Sequence, residues 1–189
     1  MNIDQVTERL KNGNANFVAD KLDGKLQDSQ RKNELANGQQ PHTIVLSCAD
    51  SRVVPEFTFD AGLGELFVVR VAGNIANTSS IASIEYAVAH LGSKVIIVLG
   101  HQNCGAVTAA INGGDNGSNL NHLLAHIEPA VSSSKEGASV NEVVKTNAKL
   151  NATELVNRSS IIKNAVDTGS LKVVSAYYKL DSGKIDFLD

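Results

Sequence analysis

The 189-residue sequence is poor in cysteine, has no tryptophan, carries no block of one charge sign and contains no long apolar run. Each shortage removes a class of protein. Two cysteines, Cys48 and Cys104, cannot supply the dense bridging that holds small secreted domains together; one disulfide between them would close only a single long loop. Seventeen basic and 20 acidic residues lie scattered along the chain with a net charge of -3, so no basic face for nucleic acid or an anionic membrane is expected. No apolar stretch approaches the roughly 18 residues of a membrane-spanning helix. The start, Met1-Asn2-Ile3-Asp4-Gln5, lacks the basic and apolar regions of a secretory leader. A soluble cytoplasmic protein acting on small molecules, with neither a nucleic-acid nor a membrane partner, is the expectation. Sequons at Asn77, Asn116, Asn151 and Asn157 would matter only in a secretory compartment.

What is present is an alternation of β-branched apolar runs with helical patterns, and neither a repeat nor a composition break divides it. Residues 3–19 place Ile3, Val6, Leu10, Phe17 and Val18 at helical spacing, interrupted by Gly13, and 26–37 form a polar helical stretch. Together 1–37 read as an N-terminal helical arm with little core of its own. Strands are expected at 43–48, 66–71, 95–99 and 172–180, the last turning at Asp181-Ser182-Gly183 into a terminal hairpin through 185–188. A short element at 55–60 and helices from Asn77-Thr78-Ser79 to about Leu91, over 104–112, 119–134 and 140–167, fill the intervals. Strands separated by helices predict an α/β fold: a mostly parallel central sheet flanked by helices, with a C-terminal antiparallel strand and a core spanning 38–189.

Both cysteines sit in short motifs at the ends of such runs. Cys48-Ala49-Asp50-Ser51-Arg52 follows 43–47, and His101-Gln102-Asn103-Cys104 follows 95–100, so both fall at the carboxyl ends of buried parallel strands, where ligands gather. Two thiolates and one imidazole, Cys48, Cys104 and His101, make the three-donor set of a catalytic zinc, whereas a structural zinc would want a fourth Cys or His. Asp50 lies two residues beyond Cys48 and projects to the same side of an extended backbone. It can ligate the metal as an alternative fourth ligand or accept a hydrogen bond from metal-bound water. Arg52, two residues further, can hold that carboxylate bidentately, which makes the pair a switch. The Gly105 amide opens the following helix and is placed to meet an anion. A phosphatase-type anion loop is excluded because Arg52 follows Cys48 too closely. His122 and His126 are four apart on a helix, but Leu123 stands where a zinc protease needs Glu, and His42 and His90 have no partner motif.

Taken with Gly64-Glu65-Leu66-Phe67-Val68-Val69-Arg70, Ile84-Glu85-Tyr86-Ala87-Val88, Gly100 to Gly105 and Tyr177-Tyr178, these motifs resemble in order and spacing the β-class carbonic anhydrases over 38–188. The resemblance is to bacterial members with a plant-type active site. It implies one Zn2+ per chain on Cys48, His101 and Cys104, an Asp50–Arg52 catalytic dyad, and reversible hydration of carbon dioxide to bicarbonate and a proton by zinc-bound hydroxide. It implies further that Gln39 hydrogen-bonds bicarbonate, that Phe67 and Ala72 line the pocket, that Tyr86 relays protons, and that the chain forms a homodimer or homotetramer. Gly105 would steady the oxygen that becomes charged. The inhibitory bicarbonate site of one branch needs Trp, Arg and Tyr; Val45 stands at the Trp position, so that site is not expected. Arg70-Val71-Ala72-Gly73-Asn74 departs from the family pattern at two positions, which bears on pocket shape. Two other readings share the motifs: hydrolysis of carbon disulfide or carbonyl sulfide, and a non-catalytic zinc protein closed by Asp50. Gln39 and Ser51 favour carbon dioxide, and Arg52, which draws Asp50 off the metal, favours catalysis.

Overall fold

The computed structural model describes residues 1–188. Strands β1 (Thr43–Ser47), β2 (Leu66–Arg70), β3 (Val95–His101), β4 (Lys172–Tyr178) and β5 (Ile185–Phe187) form a sheet in the order β2-β1-β3-β4-β5. The first four are mutually parallel, and β5 returns antiparallel to β4. This is the expected α/β architecture, closed by the expected terminal hairpin.

Every residue of β1 and β3 is buried. Alternation then sends Val45, Ile97 and Leu99 to one face and Ile44, Leu46, Ile96 and Val98 to the other. Helix α1 (Ile3–Val18) covers the first face with Val6 and Leu10, joined by Phe59 from the end of α3 (Pro55–Thr58). Ile84 of α4 (Thr78–Tyr86), Ala148 and Leu155 of α8 (Val140–Arg158) and Ile162 of α9 (Ser160–Asp167) cover the second. A parallel sheet needs both faces covered, and each fully buried Ile or Leu contributes about 1.5–3 kcal/mol. The remaining helices are α2 (Ser29–Leu35), α5 (Gly105–Asn112), α6 (Ser118–Ala125) and α7 (Glu128–Ser133). Among the described residues no helix is long and apolar enough to cross a membrane.

Several boundaries differ from the sequence expectation, each for a local reason. The helix expected over 119–134 is two, α6 and α7, because Pro129 lacks an N–H and belongs in a first turn. The helix expected over 140–167 breaks at Ser159, whose backbone is extended (φ -125°, ψ 114°) and whose hydroxyl accepts the Ile162 N–H to cap α9. The helix that begins at Thr78 widens into a π turn over Ala87–Leu91 and stops at Gly92 in the left-handed region. Gly13 does not interrupt α1: a Cβ there would lie 1.9 Å from the Phe59 carbonyl oxygen, so the glycine lets α1 approach the chain after α3. Strand β3 runs two residues past its expected end, so His101 is still held in register opposite Tyr178.

The arm is tied down by polar contacts. Arg9 donates to the carbonyls of Phe59 and Asp60 and pairs with Glu65 at 3.2 Å. Glu65 also accepts the Gly62 N–H and lies 3.6 Å from the His42 ring. Burial pushes its carboxyl up, but the His42 ring, the Gly62 amide and Arg9 together hold it at about 2. Because the folded value lies below the unfolded one, this stabilisation is present above about pH 4.5 and lost as pH falls toward 2. It amounts to about 3 kcal/mol at neutral pH. Denaturant melts at pH 7 and pH 3 are therefore expected to show Glu65→Gln less stable than the parent at pH 7, with the gap narrowing by about half at pH 3. An equal gap at both pH values contradicts the assignment.

Candidate metal centre

Between β1 and β3 the strand order of the sheet reverses while the strands stay parallel: β2 lies to one side of β1, and β3 and β4 lie to the other. Loops leaving the carboxyl ends of two such strands diverge and open a crevice, the usual ligand site of open α/β sheets. Cys48 follows β1 there, His101 ends β3, and Cys104 follows three residues later.

The three donor atoms lie within 4.8 Å of one another, and all three residues are buried. The two sulfurs are 4.0 Å apart and both thiols are free. His101 Nδ1 lies 3.0 Å from the Gln102 carbonyl oxygen, which can only accept, so Nδ1 carries the proton and Nε2 keeps its lone pair. Nε2 is buried without a hydrogen-bond partner. Two sulfurs and an orphaned, lone-pair-bearing nitrogen fit a soft or borderline divalent metal such as zinc. Hydrogen bonding from Cys104, with help from the Gly73 and Asp50 amides, holds Cys48 at about 4 against its burial. Cys104 is pushed far up by its bond to Cys48 and by burial. The pair therefore holds one negative charge readily, and a second requires a cation.

Asp50 stands beside this cluster without joining it. Its two carboxylate oxygens accept from Arg52 Nε at 2.9 Å and Nη2 at 2.7 Å, and one also accepts the Arg52 N–H. Arg52 holds the carboxyl well below the usual carboxylate range. The nearer oxygen lies 3.9 Å from His101 Nε2. Of the two positions open to Asp50 on sequence grounds, the structure has the one on Arg52.

The carbonic anhydrase family model matches residues 43–185. Carbonic anhydrase 2 of Mycobacterium tuberculosis is 40% identical over 181 residues, covering 93% of this chain and 87% of that one. A β-carbonic anhydrase of Coccomyxa in complex with acetazolamide superposes with a TM-score of 0.78 at 28% identity, covering 90% of this chain and 81% of that one. The chain belongs to the β-class carbonic anhydrases. A tetrameric β-carbonic anhydrase of Sordaria macrospora is also similar, with a TM-score of 0.75, 26% identity and coverage of 98% and 97%.

Not every residue that the family resemblance implies reaches the three-donor cluster of this β-carbonic anhydrase. Ala72 directly precedes Gly73 in a tight turn, and it is the Gly73 N–H that meets the Cys48 sulfur, at 3.4 Å. Gly105 follows Cys104 directly and faces open space. Phe67 pairs in register with Ile44, four residues before Cys48, and its ring lies 6.4 Å from that of Tyr86. Tyr86 is 52% exposed and stacks near His90, so it is neither core nor at the cluster. Gln39 precedes β1 and lines a cavity with Lys32, Leu35 and Leu63, at the opposite end of the strand from Cys48. Within one chain, Gln39, Phe67 and Tyr86 are separated from the three donors.

Other residues support the site in roles that the sequence motifs containing them did not reveal. Arg70 donates to the carbonyls of Cys48 at 3.0 Å and Asp50 at 2.7 Å, which fixes the loop that carries both. Asn103 adopts a left-handed φ of 53°, and its N–H is held by Asn141 at 2.8 Å; neighbouring Gln102 donates to Asp181 at 3.1 Å. The only local signal was Asn103 itself, since Asn tolerates that conformation.

Proposed function

We propose that this enzyme catalyses the zinc-dependent, reversible hydration of carbon dioxide to bicarbonate and a proton, with one Zn2+ on Cys48, His101 and Cys104. The observation that carries the reading is three converging buried donors beside a carboxylate that Arg52 keeps off them. Bound there, zinc supplies a Lewis acid that makes water a nucleophile near neutral pH, with a fourth position for water or substrate. Asp50 keeps its charge across the physiological range, so it can accept a proton-bearing hydrogen bond and direct the nucleophile at carbon. Arg52 and Arg70 hold that carboxylate and its loop in place, and the Gly105 N–H, in the first turn of α5, is a donor for the oxygen that gains charge. Ala72 offers apolar surface suited to a small, apolar substrate.

We include a homodimer or homotetramer in this reading. Strand β2 is the edge of the sheet, and Phe57, Leu63 and Tyr86 stand 54%, 44% and 52% exposed. A second copy covering that edge would shield them and offer its Gln39, Phe67 and Tyr86 to a neighbouring centre. Residues 38–189 form the catalytic core in this scheme, braced by the 1–37 arm.

Stopped-flow carbon dioxide hydration combined with metal analysis tests the reading. One zinc per chain and a large acceleration are expected, rising between about pH 6.5 and 9 because two anionic donors weaken the metal's pull on water relative to three neutral imidazoles. Full zinc without hydration would turn the reading toward a non-catalytic zinc protein. A flat profile would contradict the alkaline preference.

A further inference from the structure

Helix α8 carries asparagines at positions 147 and 151 on the face it turns to the core, where Val143, Val144, Ala148 and Leu155 are its other buried residues. Asn147 is 1% exposed and Asn151 5%. Asparagine is a poor interior helix residue, and a buried amide is unfavourable unless all its groups are bonded, so two of them four residues apart call for a reason.

Their bonds run in one direction, toward the metal centre. The Ala76 N–H can only donate, so at 2.6 Å it fixes the Asn151 amide with its oxygen toward Ala76. The Asn151 nitrogen then donates to the Asn147 carbonyl at 2.9 Å and side-chain oxygen at 3.0 Å. That leaves the Asn147 nitrogen to donate to the Gly73 carbonyl at 2.8 Å. The Gly73 N–H in turn donates to the Cys48 sulfur at 3.4 Å. Arg158, on the same face of α8, closes the outer end by donating to the Ala76 carbonyl at 2.7 Å. The segment gripped in this way is irregular: Gly73 and Asn74 are both left-handed, with φ of 73° and 46°. A Cβ on Gly73 would also lie 2.6 Å from the Ile127 side chain. Such a backbone persists only where its surroundings over-determine it.

We infer that Asn147 and Asn151 are positioning residues for the metal centre, holding residue 73 so that its amide hydrogen-bonds the Cys48 thiolate. The inference rests on the zinc reading given above. The clamp acts through geometry, not through polarisation of a single peptide, because the N–H and C=O of Gly73 belong to different peptide groups. An N–H bond to a ligating thiolate withdraws electron density from sulfur and fixes its direction, the two things that outer partners of a metal ligand ordinarily control.

The test uses Asn147→Leu, which keeps the branched shape and volume, and Asn151→Leu, which removes the next rung. Asn14→Leu is the control: Asn14 is also buried but bridges the Thr58 and Gly183 carbonyls and the Ile185 N–H. Each 189-residue protein is loaded with cobalt(II) for spectroscopy and with zinc for chelator competition. In Asn147→Leu the sulfur-to-cobalt charge-transfer band is expected at longer wavelength, and zinc Kd is expected to rise about 10- to 100-fold. Asn151→Leu should move both the same way by less, and it decides the matter if Asn147→Leu does not fold. Asn14→Leu should lower Tm without moving the band. An unmoved band with zinc affinity unchanged in a folded ladder variant overturns the inference, as does an equal band shift in Asn14→Leu. A parent protein that binds neither metal overturns the zinc reading as well, which separates the two failures.

Discussion

Cys104→Ser is expected to retain the fold and lose zinc, weakening metal binding by more than the 10- to 100-fold typical of outer-shell changes. The residue is buried where the chain leaves β3 for α5, and its carbonyl still accepts the Thr108 N–H and hydroxyl when only the side chain changes. What disappears is one of two thiolates. A serine hydroxyl does not ionise in this range, so the remaining set is one thiolate and one imidazole, short of the three protein ligands of a catalytic zinc. Hydration activity should fall in proportion to bound metal, and far-UV circular dichroism should match the parent. Tight, stoichiometric zinc in Cys104→Ser contradicts ligation by this residue, whatever the activity.

Asp50→Asn should separate metal binding from chemistry. Asp50 is outside the donor cluster, so zinc content is expected to stay near one per chain. The two oxygens of Asp50 accept three bonds from Arg52, whereas an asparagine offers one oxygen and turns an NH2 group toward the guanidinium. The negative charge and the directed acceptor vanish together. A loss of about 10²- to 10³-fold in kcat is expected, comparable to removing one preorganised polar group from an active site. Because Arg52 keeps Asp50 ionised far below neutrality, the parent's own pH profile should not be limited by this carboxylate. Full activity in the variant would remove Asp50 from the mechanism.

The legible parts of this molecule are those set by residues close together in sequence. Thr43 to Ser47 and 95–100 announce buried strands through unbroken β-branched runs, and motifs placed directly after them inherit the strand ends as their location. The helix breaks at Ser159 and Pro129 carried local signals, a capping hydroxyl and a missing N–H, but apolar periodicity ran across both and outweighed them. Gly13 was misread for a related reason: a glycine that breaks a helix and one that admits a neighbouring carbonyl look the same until the neighbour, Phe59, is in view.

Sequence alone determined the donor types, the strand ends that carry them and the Asp50–Arg52 pairing, because each depends on spacings of two or three residues along one backbone. The tertiary structure alone decided that β1 and β3 are adjacent at the switch in the sheet, which brings Cys48 within 4.0 Å of Cys104. It also decided that Asn147, distant in sequence, reaches the Cys48 sulfur through Gly73, and that Gln39 lies beyond the end of β1 opposite to Cys48. Periodicity records which face of an element is buried; which elements then meet is settled by packing between residues far apart in the chain, and no local pattern encodes it.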